Sequence, residues 1–293
     1  MLLRPVRDTE ADAETVRRLA TATFTASDAV KGDGPLSEPG PEQSAARREK
    51  ARQLVRADPG GSWLAMDAAG EPVGAAQSLI REGTWGLALL VVLPDAQGKG
   101  VGTALLERTL RYGSACLRGL ICSSRHPMAA RSYRRAGFEL HPMMRLDGIV
   151  DPARLADPDG PAVEGSAAHR DLMDSVDRRV RGGAHGVDHA YLLRHCRLFV
   201  ADDLAGSGYC YLDADGRVEL LAATSRRLAT RLLITALLSL PDGTRATVPH
   251  LTGEQQWALD VGLAAGLRLT TSGYLGLRGM RPPAPYIPSG AFL

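Results

Sequence analysis

Three glycines at alternate positions, Gly98, Gly100 and Gly102, follow an apolar run from Leu87 to Leu93 and precede a stretch of helical spacing, Thr103 to Tyr112. A strand that hands over to a helix leaves the backbone N–H groups of the first turn unpaired, and they point at the space ahead of the helix. Glycine keeps side chains out of that space, so a bulky anion can approach the backbone. Hydrogen bonds to a charged acceptor contribute roughly 1.5–3 kcal/mol each, and the helix dipole adds about 0.3–1 kcal/mol. The pattern predicts a cradle for a pyrophosphate that needs no metal. A second chemical candidate lies downstream. Tyr133, on a predicted helix that ends at Gly137-Phe138, carries a phenol that can give a proton to a leaving group.

Other phosphate loops are excluded by spacing. A dinucleotide fingerprint starting at Gly98 or Gly100 needs a third glycine at 103 or 105, where the chain has Thr103 and Leu105, and no acid stands near position 122. A Walker loop ending at Gly98-Lys99 needs glycine at 93 and Ser or Thr at 100, but Leu93 and Gly100 are there.

The run Gln97-Gly98-Lys99-Gly100-Val101-Gly102 does fit Gln-x-x-Gly-x-Gly. Downstream of the apolar Leu120-Ile121-Cys122, residues His126, Ala129, Tyr133, Gly137 and Phe138 stand at the offsets of Asn-x-x-Ala-x-x-x-Tyr-x-x-x-Gly-Phe, with His126 replacing the Asn. Together these motifs resemble the acyl-CoA loop and the tyrosine helix of the GNAT superfamily of N-acetyltransferases. The resemblance implies acetyl-CoA as cosubstrate, held by Val91, Val92, Gln97, Gly98, Lys99, Gly100, Val101 and Gly102, with His126 and Tyr133 beside it. It implies Tyr133 as the general acid for the CoA thiolate; His126 and Glu82 are secondary catalytic candidates taken from the residues alone. The structural alternative for Tyr133 is an aromatic on the core face of a helix, paired with Phe138. For an isolated tyrosine that alternative would win, and the coincidence with the glycine loop favours the chemical role.

The surrounding elements must position these groups. Leu2 to Val6 is a predicted strand and Ala11 to Phe24 a predicted helix. Glycines and prolines between Asp28 and Pro41 predict a loop before a basic helix, Glu42 to Ala57, whose Arg47 to Arg56 stretch is expected to be a solvated face. Ser62 to Asp67 and Glu71 to Arg81 form a predicted hairpin leading to the strand before the cradle. The predicted fold is mixed α/β: two GNAT-like domains in tandem, each a mostly antiparallel sheet flanked by helices. The first, 1–148, is expected to bind acetyl-CoA.

The second, 160–293, reads as a repeat that has lost its chemistry. Placing Leu232-Leu233 on Leu105-Leu106 turns Gly98, Gly100 and Gly102 into Ser225, Arg227 and Ala229. With a two-residue shift, Gln255, Ala258, Gly262, Gly266 and Leu267 fall on His126, Ala129, Tyr133, Gly137 and Phe138. The phenol is gone.

Composition narrows the partners. A formal net charge of +2 over 293 residues, with both signs interspersed, argues against nucleic acid or an anionic membrane as partner. Cys116, Cys122, Cys196 and Cys210 include no C-x-x-C pair and no disulfide-framework spacing, nothing at the N-terminus resembles a signal peptide, and no apolar run approaches membrane-spanning length. A cytoplasmic enzyme with reduced thiols is expected. The polar cluster Arg181, His185, Asp188, His189, His195 and Cys196 invites a metal, but Gly182, Gly183 and Gly186 break the helix that the His185/His189 spacing would need, so no metal is expected. The proline- and aromatic-containing segment Pro285 to Phe292 is expected to be a docked tail. The general base has no clear candidate: Leu87 to Leu93 contains no acid, which leaves Glu82, His126, His141, Asp147 or a water relay. The expected reaction is direct transfer of acetyl to a primary amine on a small molecule or a peptide. The rival from another class is a non-catalytic acyl-CoA-binding or sensing module.

Overall fold

The computed structural model describes residues 1–31 and 40–293, with 26–31 described by their backbone alone. The chain forms two compact units. Unit one comprises Met1–Ile80 and Trp85–Cys116, and unit two comprises Arg81–Thr84 and Leu117–Leu293.

Unit one contains β1 (Leu2–Pro5), α1 (Glu10–Lys31), α2 (Pro41–Ala57), β2 (Ser62–Met66), β3 (Pro72–Arg81, its last residue in unit two), β4 (Thr84–Val92, its first residue in unit two) and α3 (Val101–Tyr112). The strands lie in the order β1-β2-β3-β4, with β1 to β2 and β2 to β3 antiparallel. Alternation along the strands divides the core. Leu64 and Ala75 pack with Val16 and Leu19 of α1 and Val55 of α2. Their neighbours Ala65 and Ala76 pack instead with Val101 and Leu105 of α3. Helix α1 runs to Lys31, longer than the predicted stretch ending at Phe24, so positions 28–31 of the predicted loop are helical, while 32–39 lie outside the described residues. The basic face of α2 is not simply solvated: Arg52 and Arg56 both reach Asp8, at 2.6 and 2.8 Å, and Arg48 pairs with Glu10 on α1.

Unit two continues with β5 (Arg118–Ser123), α4 (Pro127–Arg135), β6 (Glu139–Ile149), β7 (Val163–Glu164), α5 (Arg170–Val180), α6 (Asp188–His195), β8 (Cys196–Asp203), β9 (Gly206–Asp213), β10 (Val218–Ala223), α7 (Arg226–Leu238), β11 (Arg245–Leu251), α8 (Gln256–Ala264), β12 (Arg268–Arg278) and β13 (Tyr286–Ile287). One set of its strands runs β5-β12-β6-β11 and the other β13-β10-β9-β8-β7. The pairings of β12 with β5, of β12 with β6 and of β11 with β6 are all antiparallel. Strand β12, from the C-terminal half of the chain, therefore lies between β5 and β6, while β6 lies between β12 and β11. The two halves exchange strands. For this reason compactness does not follow the 1–148 and 160–293 line, which is a division of sequence repeats. Among the described residues no helix is long and apolar enough to cross a membrane.

Candidate functional site

In unit one, β4 ends at Val92 and a single 3-10 turn, Pro94–Ala96, leads to Gln97. The Gln97 amide donates to the Val92 carbonyl at 3.0 Å and ties the loop to the strand end. Gly98 and Gly100 have φ of 74° and 82°, a left-handed conformation that costs other residues about 1–2 kcal/mol. The space beside both is open, since an added Cβ would meet no atom within 4 Å. Backbone twist alone thus requires these two glycines. At Gly102 an added Cβ would sit at an ordinary 3.6 Å from Val92, so nothing within the protein requires glycine there. Gly98, Lys99 and Gly100 are exposed, and α3 starts from Gly100 with no side-chain cap and no acid in its first turn. The positive end of the helix dipole thus follows exposed residues and meets no acid from its own first turn.

The other end of α3 is fixed by packing. The Trp85 indole, fully buried, donates to the Thr109 carbonyl at 2.9 Å, and Tyr112 donates to Asp58 at 3.0 Å. A Cβ at Gly113 would lie 2.1 Å from the Trp85 ring, so the chain can pass there only as glycine.

In unit two, His126 is the N-cap of α4, half-buried, with no capping bond from its side chain. Tyr133 is 5% exposed, and burial pushes its phenol well above the ordinary range, which keeps the proton on oxygen. The helix closes at Gly137, φ 85°, with Phe138 N–H donating to the Tyr133 carbonyl at 3.0 Å. Glu82 is committed elsewhere. Arg178 donates to its carboxylate at 2.7 Å and the Ala184 N–H at 3.0 Å, and the Arg178 bonds, followed by that of Ala184, lower its pKa. A general base at neutral pH needs a shift in the opposite direction, so Glu82 serves as an anchor for the segment after α5. Asp147 is likewise bound, by Arg245 at 2.7 and 2.6 Å.

The C-terminal half repeats these elements with altered ends. Leu232 and Leu233, which the predicted register sets on Leu105 and Leu106, are buried as those are. In that register, however, α7 begins two residues earlier than α3. Its N-cap is Ser225, whose hydroxyl accepts from the Leu228 N–H at 3.4 Å. Helix α8 closes as α4 does: Gly266 has φ 82°, and Leu267 N–H donates to the Gly262 carbonyl at 2.9 Å. Gly262, at the tyrosine position, has no room for a larger residue, because a Cβ would lie 2.3 Å from Leu146. Gln255, at the His126 position, is buried and holds the tail, donating to the Pro283 carbonyl at 3.0 Å and accepting from Tyr286 N–H at 3.2 Å. The tail is docked as expected: β13 pairs with β10, and Phe292 and Leu293 are fully buried.

The polar cluster is also in unit two. His185 lies outside any helix and His189 within α6, as the intervening glycines imply. Asp177 of α5 joins them, and one ligand-type atom from each of Asp177, His185 and His189 lies within 4.8 Å of the others. His185 Nδ1 donates to Asp177 at 2.7 Å, and Tyr209 donates to the other carboxylate oxygen. Burial pushes the Asp177 carboxyl up, but the two histidines outweigh it and hold it well below the usual carboxylate range. Asp188 forms a buried two-point ion pair with Arg81, at 2.7 and 2.6 Å. Asp177 carries no signal in the sequence, because its partners lie 8 and more residues away on another element.

Residues 58–140 match the acetyltransferase (GNAT) domain family, a span that contains both the glycine loop and the tyrosine helix. Over that span, less than a third of the chain, the sequence carries the pattern of a GNAT acetyltransferase domain. Solved structures share the fold over nearly the whole chain. A protein of Pyrococcus horikoshii described as an acetyltransferase is 18% identical, with a TM-score of 0.76 over 99% of this chain and 95% of that one. A GCN5-related N-acetyltransferase of Sphaerobacter thermophilus is 16% identical, TM-score 0.59, over 96% of each chain. A tandem GNAT protein from the clavulanic acid biosynthesis pathway is 13% identical, TM-score 0.59, over 96% of this chain and 99% of that one. The tandem arrangement expected from the internal repeat is thus a known form of this fold. No curated protein sequence matches the chain.

Proposed function

We propose that the protein transfers acetyl from acetyl-CoA to a primary amine by direct attack, using one cofactor site per chain. The observation that carries this reading is the uncapped start of α3, where Gly98 and Gly100 hold the loop in a left-handed conformation with open space beside them. Such a terminus suits the pyrophosphate of CoA. Val91 and Val92 at the strand end, Gln97 to Gly102 in the loop, and His126 and Tyr133 downstream are the residues assigned to the cofactor. Tyr133 is assigned as the acid from its place in the tyrosine motif and from the burial that keeps it protonated. It would give its proton to the CoA thiolate as the amine adds to the carbonyl and the C–S bond breaks. With Glu82 and Asp147 held in ion pairs, a water relay is the reading we favour for removal of the amine proton. Of the sequence repeats, 1–148 supplies this chemistry and 160–293 does not.

Titration calorimetry with acetyl-CoA, followed by a library of small amines and peptides read by mass and by CoA release, tests the proposal. The expected result is a stoichiometry of one and an acceptor heavier by one acetyl group. A stoichiometry of two overturns the division between the repeats. Tight binding without release of CoA in the presence of any amine favours the sensing module instead.

A further inference from the structure

We propose that a cavity in the second repeat binds a small zwitterion, an aliphatic α-amino acid free or as a short peptide, with its carboxylate on Arg179 and its ammonium on Asp202. The cavity has a volume of about 340 Å³ and lies between α5, the β8–β9 hairpin and the end of β10. Pockets for small molecules run from about 300 to 1,000 Å³. This one is at the small end of that range, the size for one or two amino-acid units.

A single stripe of α5 forms one wall. Leu172, Ser175, Val176 and Arg179 stand at i, i+3, i+4 and i+7, the spacing of one helix face. That face offers an apolar pair beside a hydroxyl and a guanidinium, while Met173 and Asp177 of the same helix are fully buried. The hairpin and the end of β10 form the other wall. Ser207 N–H donates to Thr224 Oγ1 at 3.0 Å, which leaves the Thr224 hydroxyl proton for a ligand. Ser207 Oγ donates to Asp202 Oδ1 at 2.6 Å and orients that carboxylate. Gly206 has φ 133°, and a Cβ there would fall 2.1 Å from Thr224 Oγ1, so the hairpin can close on Thr224 only with glycine.

The two charges of the cavity are opposite and unpaired. Among the described residues Arg179 makes no ion pair, and the Asp202 carboxylate accepts only from Ser207. Their neighbours in sequence are committed elsewhere, Arg178 to Glu82 and Asp203 to Arg231. A simple anion would meet repulsion from Asp202, and a simple cation would meet it from Arg179. A molecule that carries both charges satisfies both. Leu172 and Val176 then give its side chain an apolar surface, where a polar side chain would lose water without gaining a partner.

Calorimetry and melting on the full chain, without acetyl-CoA, test the site apart from the transfer reaction. Leucine is the probe and dileucine its peptide counterpart. Leucine is expected to bind at one per chain and to raise the melting temperature. N-acetylleucine lacks the ammonium and leucinamide the carboxylate, and each should bind weaker by roughly tenfold or more. Arg179→Gln should abolish the preference for leucine over leucinamide, and Asp202→Asn the preference over N-acetylleucine. Both side chains are exposed, so both variants are expected to stay folded, which circular dichroism checks. Tighter binding of dileucine than of leucine would make the ligand a short peptide. Binding of neither probe, equal binding of the blocked analogues, or unchanged preferences in the folded variants would each overturn the site.

Discussion

Helices α3 and α7 occupy the same place in the two sequence repeats and begin in opposite ways. α3 starts without a side-chain cap at a left-handed glycine that ends an exposed loop. α7 starts at Ser225, which satisfies an N–H of its own first turn, and the next residues, Arg226 and Arg227, are helical where the first repeat has loop. One terminus has no side-chain cap, and the other is capped by the protein. The same contrast recurs at the following helix, where Tyr133 becomes Gly262 and the His126 position becomes a glutamine spent on the tail. Two helix ends are thus closed in the second repeat, with the core face of the helices left intact.

The largest expected effect comes from closing the open terminus. Gly100→Glu puts a carboxylate and a left-handed strain at the loop, and calorimetry is expected to show acetyl-CoA affinity reduced at least 100-fold, with the fold retained. Arg226→Glu at the second terminus should leave affinity unchanged. Ala229, the sequence counterpart of Gly102, is unsuitable for that control because it is fully buried. Equal losses in the two variants would erase the distinction between the termini.

Next in size is Tyr133→Phe, which keeps the ring and removes the phenol. Turnover is expected to fall by about 10²–10⁴-fold with acetyl-CoA affinity within a few-fold of the parent. If the hydroxyl is only structural, stability changes by about 1 kcal/mol and kcat does not. Parallel turnover and melting measurements separate the two results.

Ser225→Ala sharpens the comparison from the other side. Loss of an N-cap costs about 0.5–2 kcal/mol, so denaturant unfolding should show that loss with CoA binding unaffected. Altered CoA affinity would mean that the second terminus takes part in binding.

The smallest effect concerns acid. Burial lowers His185 to about 4, opposed by Asp177, and lowers His250 to about 4 through burial and then Arg217. Both are neutral in the folded protein while their unfolded counterparts bind protons below about 6.5, so stability should fall as pH drops from 6.5 towards 4. Asp213, raised to about 6 chiefly by burial, has the opposite sign: its contribution is present at low pH and is lost as pH rises through about 6. A melting series between pH 7 and pH 4 is expected to show the net decline, reduced in His250→Gln. A flat series would remove the histidines as the cause.

Local features of this molecule were legible in its sequence and distant ones were not. The glycine loop is specified within six residues, since alternate glycines after an apolar run leave the backbone few other options. Gly137 and Gly266 each announce a helix end because their left-handed φ excludes most residues. The ion pairs of α2 with Asp8 and Glu10 join residues about 40 positions apart, and composition alone made that face look merely solvated. The polar cluster was judged on the His185/His189 spacing, which is indeed not helical. What joins it is Asp177 from a separate helix, a contact that no local pattern encodes. The strand exchange is more remote still, since Leu275 pairs with both Cys122 and His141 across more than a hundred residues.

That exchange bears on how the protein is made. When residues 1–150 have left the ribosome, β5 and β6 exist as sequence but the strand that belongs between them is not yet synthesised. β12 emerges more than a hundred residues after both. Until then both strands present unpaired edges of the kind that promote association between nascent chains. Closure of the N-terminal repeat thus waits for the C-terminal one. A product truncated before β12 cannot complete the sheet that carries the tyrosine helix, because the second repeat supplies the strand that joins β5 to β6.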